Sequence, residues 1–101
     1  MVLIMVTAMF PPEKGMDVQK KYNEIQSKFL LPSFLKQKKL GMRWNRVSMK
    51  VVAVYEVEKE KESDALSFIY RYETEFAGIE GYSNEIETLL TIEEMPSLGV
   101  S

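Results

Sequence analysis

Val2-Leu3-Ile4-Met5-Val6-Thr7-Ala8-Met9-Phe10 is a nearly uninterrupted apolar run, halted by Pro11-Pro12. Alternate positions of a strand point to opposite faces, and here both sets are apolar: Val2, Ile4, Val6, Ala8 and Phe10 on one, Leu3, Met5 and Met9 on the other, with Thr7 the single hydroxyl. That pattern predicts a central strand covered on both sides rather than a half-solvated one. A buried helix is the competing reading, and the β-branched residues and the paired prolines favour the strand. The run is too short to span a bilayer as a helix. It also lacks a basic leading segment and a small-residue cleavage site, so it does not read as a secretion signal, and a cytoplasmic protein is expected.

The chain has 101 residues, a formal net charge of −2, 46% hydrophobic and 28% charged residues, which predicts one soluble domain. A domain over 1–95 and a loose tail over 96–101 are expected. A net negative charge disfavours bulk attraction to nucleic acid or anionic membranes. There is no Cys and no His. Disulfides, thiolate chemistry, Ser-His-Asp catalysis, structural zinc and a proximal-His haem are thereby excluded. No glycine-rich phosphate loop or metal-ligand spacing is present, and neither cofactor nor metal is expected.

Beyond the prolines, Met16 to about Leu31 has apolar residues at Val18, Tyr22, Ile25, Phe29 and Leu30, the spacing of a one-sided helix, with Asp17 in its first turn. Pro32 ends or kinks it, and 33–39 reads as a further helical turn before Gly41. A hairpin follows, with arms over Gly41–Val47 and Val51–Glu58 and a turn at Ser48–Lys50. Its second arm, Val51-Val52-Ala53-Val54-Tyr55-Glu56-Val57, is apolar on both parities like the opening run, while Met42-Arg43-Trp44-Asn45-Arg46-Val47 is polar enough for a sheet edge. After the charged run Lys59–Glu62, a second helix capped by Ser63 or Asp64 carries Ala65, Leu66, Ile69, Tyr72 and Phe76 on one stripe. Gly78 and Gly81 bracket its exit, and Glu85–Met95 alternates as a half-polar last strand.

The order β-α-β-β-α-β predicts an α+β, ferredoxin-like fold: a four-stranded antiparallel sheet with two helices on one face. That topology places the first and third strands centrally, and these are the two doubly apolar ones. The helices cover one face only. The other would leave a larger apolar patch than monomers usually carry, so a homodimer formed through the sheet faces is expected.

From Val2 to Met95 the element order and the doubly apolar sheet resemble the dimeric α/β-barrel superfamily, including the antibiotic-biosynthesis monooxygenases and the stress-responsive barrel proteins. The resemblance implies a pocket between sheet and helices that takes a small apolar or aromatic molecule. In some members it implies cofactor-free oxygenase chemistry. Haem-degrading members use a His as iron ligand, which this chain lacks.

The conspicuous polar cluster is Arg43-Trp44-Asn45-Arg46. On a strand Trp44 and Arg46 share one face and Arg43 and Asn45 the other, so they cannot all line one pocket. As a ligand site, Trp44 would stack while Arg43 or Asn45 orients a carbonyl or phenolate, as the monooxygenase resemblance implies. As structure, the arginines would protect an edge strand and Trp44 would pack at a dimer rim. Among Tyr22, Tyr55, Tyr70, Tyr72 and Tyr82, Tyr55 is the foremost pocket candidate, because it lies on a central strand amid aliphatic residues. Glu73 and Glu75 read as solvated helix surface. Two further function classes stand beside small-molecule binding. One is a pocketless structural or regulatory interaction module. The other is a weak nucleic-acid binder using Lys36, Lys38, Lys39, Arg43, Arg46 and Lys50, ranked below because the third strand, Val51–Glu58, has no match to the RNA-recognition consensus.

Overall fold

The structure is a computed structural model and describes residues 2–90. β1 (Val2–Phe10) leads through a single 3-10 turn at Pro12–Lys14 into α1 (Gly15–Ile25), followed by β2 (Leu35–Trp44), β3 (Met49–Val57), α2 (Glu62–Thr74) and β4 (Ser83–Leu90). The sheet order is β2-β3-β1-β4 with every pairing antiparallel, so the two doubly apolar strands are the inner pair. Strands apolar on both parities favour the inner positions, where a neighbour flanks them on either side. The fold is the ferredoxin-like one. Among the described residues no helix is long and apolar enough to cross a membrane.

The even-numbered residues of β1 face the helices. Ile4 and Val6 form the main core with Leu35, Val57, Ala65 and Ile69. Ile4 is 0% exposed. Burying such a side chain contributes about 1.5–3 kcal/mol. Leu3, Met5 and Thr7 point to the other, uncovered face and are half-buried.

Several boundaries differ from the sequence reading. α1 closes at Ile25 rather than about Leu31, where the Lys28 and Phe29 amides both donate to the Ile25 carbonyl. Pro32 disfavours helical geometry at Leu31. Phe29 instead leaves the helix path and meets Phe68 and Tyr72 edge-on, with ring centroids 5.9 and 5.7 Å away. Residues 35–39, read as part of a helical turn over 33–39, belong to β2. Their lysines and glutamine carry no strand preference of their own. The ladder offered by β3 overrides it, with a register irregularity between Gln37 and Lys39. The hairpin turn lies at 45–48, ahead of the expected Ser48–Lys50. α2 begins at Glu62 with Lys61 as N-cap, and neither Ser63 nor Asp64 caps it. Glu62 and Asp64 occupy its first turn, where carboxylates complement the helix dipole. β4 begins at Ser83, and the expected continuation to Met95 and the tail at 96–101 lie outside the described residues.

Candidate functional site

Beside the Ile4 core, the sheet and helices flank a half-open cavity of about 800 Å³. Its floor is Val6, Ala8 and Phe10 of β1 with Val51, Ala53 and Tyr55 of β3. α1 contributes Val18, Gln19 and Tyr22, and α2 contributes Phe68, Tyr72 and Glu73. The small side chains at Ala8 and Ala53 leave the space that larger ones would fill. Met42 and Met49 line it beside β2, and such unbranched, polarizable chains adapt to an irregular occupant.

Polar groups gather at one end of the cavity. Glu73 is 7% exposed and is the one buried charged side chain among the described residues. The Tyr82 hydroxyl donates a hydrogen bond of 2.8 Å to its Oε1. Tyr82 is held in place by ring stacking on both sides, with Phe76 at 5.1 Å and Phe10 at 6.1 Å between centroids and interplanar angles of 14° and 11°. Burial raises the Glu73 pKa above the ordinary 4.5, against the opposing effect of the Tyr82 hydrogen bond. Burial, then the charge of Glu73, pushes Tyr55 up to about 12. Burial likewise raises Tyr72 and Tyr82. The phenols are therefore neutral donors at ordinary pH, not bases.

Glu73 was expected on the solvated surface, and the structure corrects this. It follows Ile69 by four residues on the stripe that begins at Ala65, so its spacing marks it as inward-facing. A pH dependence follows. Below about pH 4.5 the carboxyl is protonated in both folded and unfolded chains and adds no slope. Above it the unfolded chain ionises while the folded one holds its proton, so stability falls until the folded group ionises too. Glu73→Gln keeps an acceptor for Tyr82 and removes the titration. Denaturant unfolding is expected to show the variant gaining on the native protein as pH rises from about 4 to about 8. A constant stability difference across that range would refute the assignment.

The structure separates the other candidates from this cavity. Tyr55 lines it; Arg43, Trp44, Asn45 and Arg46 do not. Asn45 Oδ1 accepts hydrogen bonds from the Val47 and Ser48 amides, each 2.8 Å, and so holds the β2–β3 turn. Arg43 Nη2 donates to Ser48 Oγ at 3.2 Å across the same turn. Trp44 pairs with Met49 at the end of the ladder and is 73% exposed. Arg46 is an exposed turn residue. Among the described residues no cluster of three or more His, Cys, Asp or Glu side chains could hold a metal ion.

No protein-family model and no curated protein matches this sequence. Solved structures do match its shape. An ACT domain protein from Streptococcus pneumoniae superposes with a TM-score of 0.54 at 11% identity, over 86% of this chain and 89% of that one. The de novo designed protein Foldit4 gives 0.53 at 12% identity, over 89% and 97%. A formyltetrahydrofolate deformylase from Pseudomonas putida gives 0.55 at 8% identity, over 84% of this chain and only 28% of the enzyme. At such identities the likeness is one of fold alone.

Proposed function

We propose that this protein is a small homodimer that binds a small apolar or aromatic molecule between its sheet and its helices. The observation that carries the reading is the cavity of about 800 Å³, walled by aliphatic and aromatic side chains with a few polar groups at one end. Pockets for small organic molecules have this size and this mixture. The dimer is argued from the uncovered sheet face, which carries Leu3, Met5, Val52 and Val54 at its centre.

The cavity reading is tested with neutral aromatic probes. Naphthalene and tert-butylbenzene are expected to bind saturably, followed by ligand-observed NMR. Ala53→Phe and Val51→Phe, which fill the floor, are expected to weaken binding by at least about tenfold with the circular dichroism unchanged, a factor equal to about 1.4 kcal/mol. Absence of saturable binding, or binding indifferent to both fillings, would remove the reading.

A further inference from the structure

The cavity wall has a sign. Glu73 is its one charged residue, and no Lys or Arg lines it. Tyr82 satisfies Oε1, and no second side-chain hydrogen bond reaches the carboxyl group among the described residues. The rings of Tyr55, Tyr72, Phe10, Phe29 and Phe76 line the same cavity. Aromatic faces carry negative quadrupole potential and attract cations held over them. An anionic or phenolate ligand would meet a carboxyl group and ring faces with nothing to neutralise it. A cation would meet attraction from both, beside a carboxyl group that is itself only 7% exposed.

We infer that the occupant is an organic cation, an amine or quaternary ammonium group borne on an apolar or aromatic body, with the cationic head beside Glu73 and the body over the floor at Ala8 and Ala53. This rests on the proposed ligand-binding role of the cavity and narrows its chemical class. The titratable groups facing Glu73 are Tyr82, which hydrogen-bonds it, and Tyr55 and Tyr72, whose pKa values are raised, so only the carboxyl changes charge near neutral pH. A bound cation favours the ionised carboxylate, so binding expels the Glu73 proton where the free protein still holds it. Affinity for a cation of fixed charge therefore rises with pH through the Glu73 titration and then levels.

The test compares phenyltrimethylammonium with tert-butylbenzene, which have the same shape and differ by one charge. Calorimetry on the full chain is expected to show the cation binding at least about tenfold tighter at pH 8, a factor equal to about 1.4 kcal/mol. Its affinity is expected to fall on acidification while that of tert-butylbenzene stays level. Glu73→Gln is expected to shrink the preference at pH 8 and to erase its pH dependence. Equal or tighter binding of the neutral compound, or an undiminished preference in Glu73→Gln, overturns the cation assignment and leaves the cavity reading intact. Failure of both compounds to bind overturns the two together.

Discussion

Gly81→Ala is expected to destabilise the fold by about 2–5 kcal/mol. Gly81 has φ +83°, in the left-handed region, where an L side chain costs about 1–2 kcal/mol. A Cβ built there would lie 2.6 Å from Cγ and 2.7 Å from Cδ of Pro11. Those atoms belong to a proline ring that cannot swing aside, so one of the two backbones must shift, and such overpacking adds about 1–3 kcal/mol. The strain falls beside the site, because Tyr82 follows directly and stacks on Phe10, the residue before Pro11. The expected result in a thermal melt is a loss of roughly 10–25 °C. Gly41→Ala is the control. Nothing stands within 4 Å of its built Cβ, so the change is expected to leave stability equal or slightly raised. Equal melting temperatures for Gly81→Ala and the native protein would show that the close approach to Pro11 is not held.

Met5→Glu is expected to convert a dimer into a monomer, with an association constant lowered at least about 100-fold, or about 2.7 kcal/mol. Met5 lies at the centre of the open face, opposite Val54 on β3 and Glu87 on β4. The edges of that face carry opposite charge. β4 presents Glu85 and Glu87, in register with Thr7 and Met5. β2 presents Lys36, Lys39 and Arg43, in register with Glu56, Val54 and Lys50. A two-fold axis running along the strands would lay the basic edge of one copy over the acidic edge of the other, with the apolar centres in contact. An axis across the strands would set like charges together. Complementarity of this kind selects the orientation, and the central apolar contact supplies the affinity. A central glutamate would desolvate a carboxylate against the same face of its partner, which costs several kcal/mol.

Sedimentation at about 10 µM checks this: the native chain is expected as a dimer at a concentration where micromolar or tighter association is visible. Glu87→Lys is expected to weaken the dimer, and Glu87→Lys with Lys39→Glu to restore part of it. A native chain that stays soluble and monomeric would defeat the dimer. A double swap without recovery would defeat the orientation.

Much of the architecture is legible in the residues because it follows from local chemistry. Two runs apolar on both parities can only be inner strands, and their spacing around two amphipathic helices leaves one topology that makes them neighbours. The β2 boundary is not local. Leu35-Lys36-Gln37-Lys38-Lys39-Leu40 becomes strand because β3 offers it a ladder, and pairing between distant segments leaves no mark in the composition of either. The polar cluster at 43–46 drew attention because its residue types suit ligands, yet Asn45 and Arg43 spend their hydrogen bonds on the turn.

The residues that do share a cavity are dispersed from Val6 to Tyr82, and no motif links them. Glu73 was readable in principle, by its four-residue step from Ile69, but a glutamate followed closely by Glu75 looks like solvated surface until burial is known. The sequence by itself determined the order of the strands, the apolar character of both faces of the inner pair and the absence of any thiol or imidazole chemistry, all consequences of side-chain type and period. Only the tertiary structure decided which parity of β1 meets the helices, that the small floor of Ala8 and Ala53 opens a cavity, and that a single carboxyl group is buried on its wall. Those depend on how separate elements approach in space, and the energy of a buried charge is set by its surroundings rather than by its own chemistry.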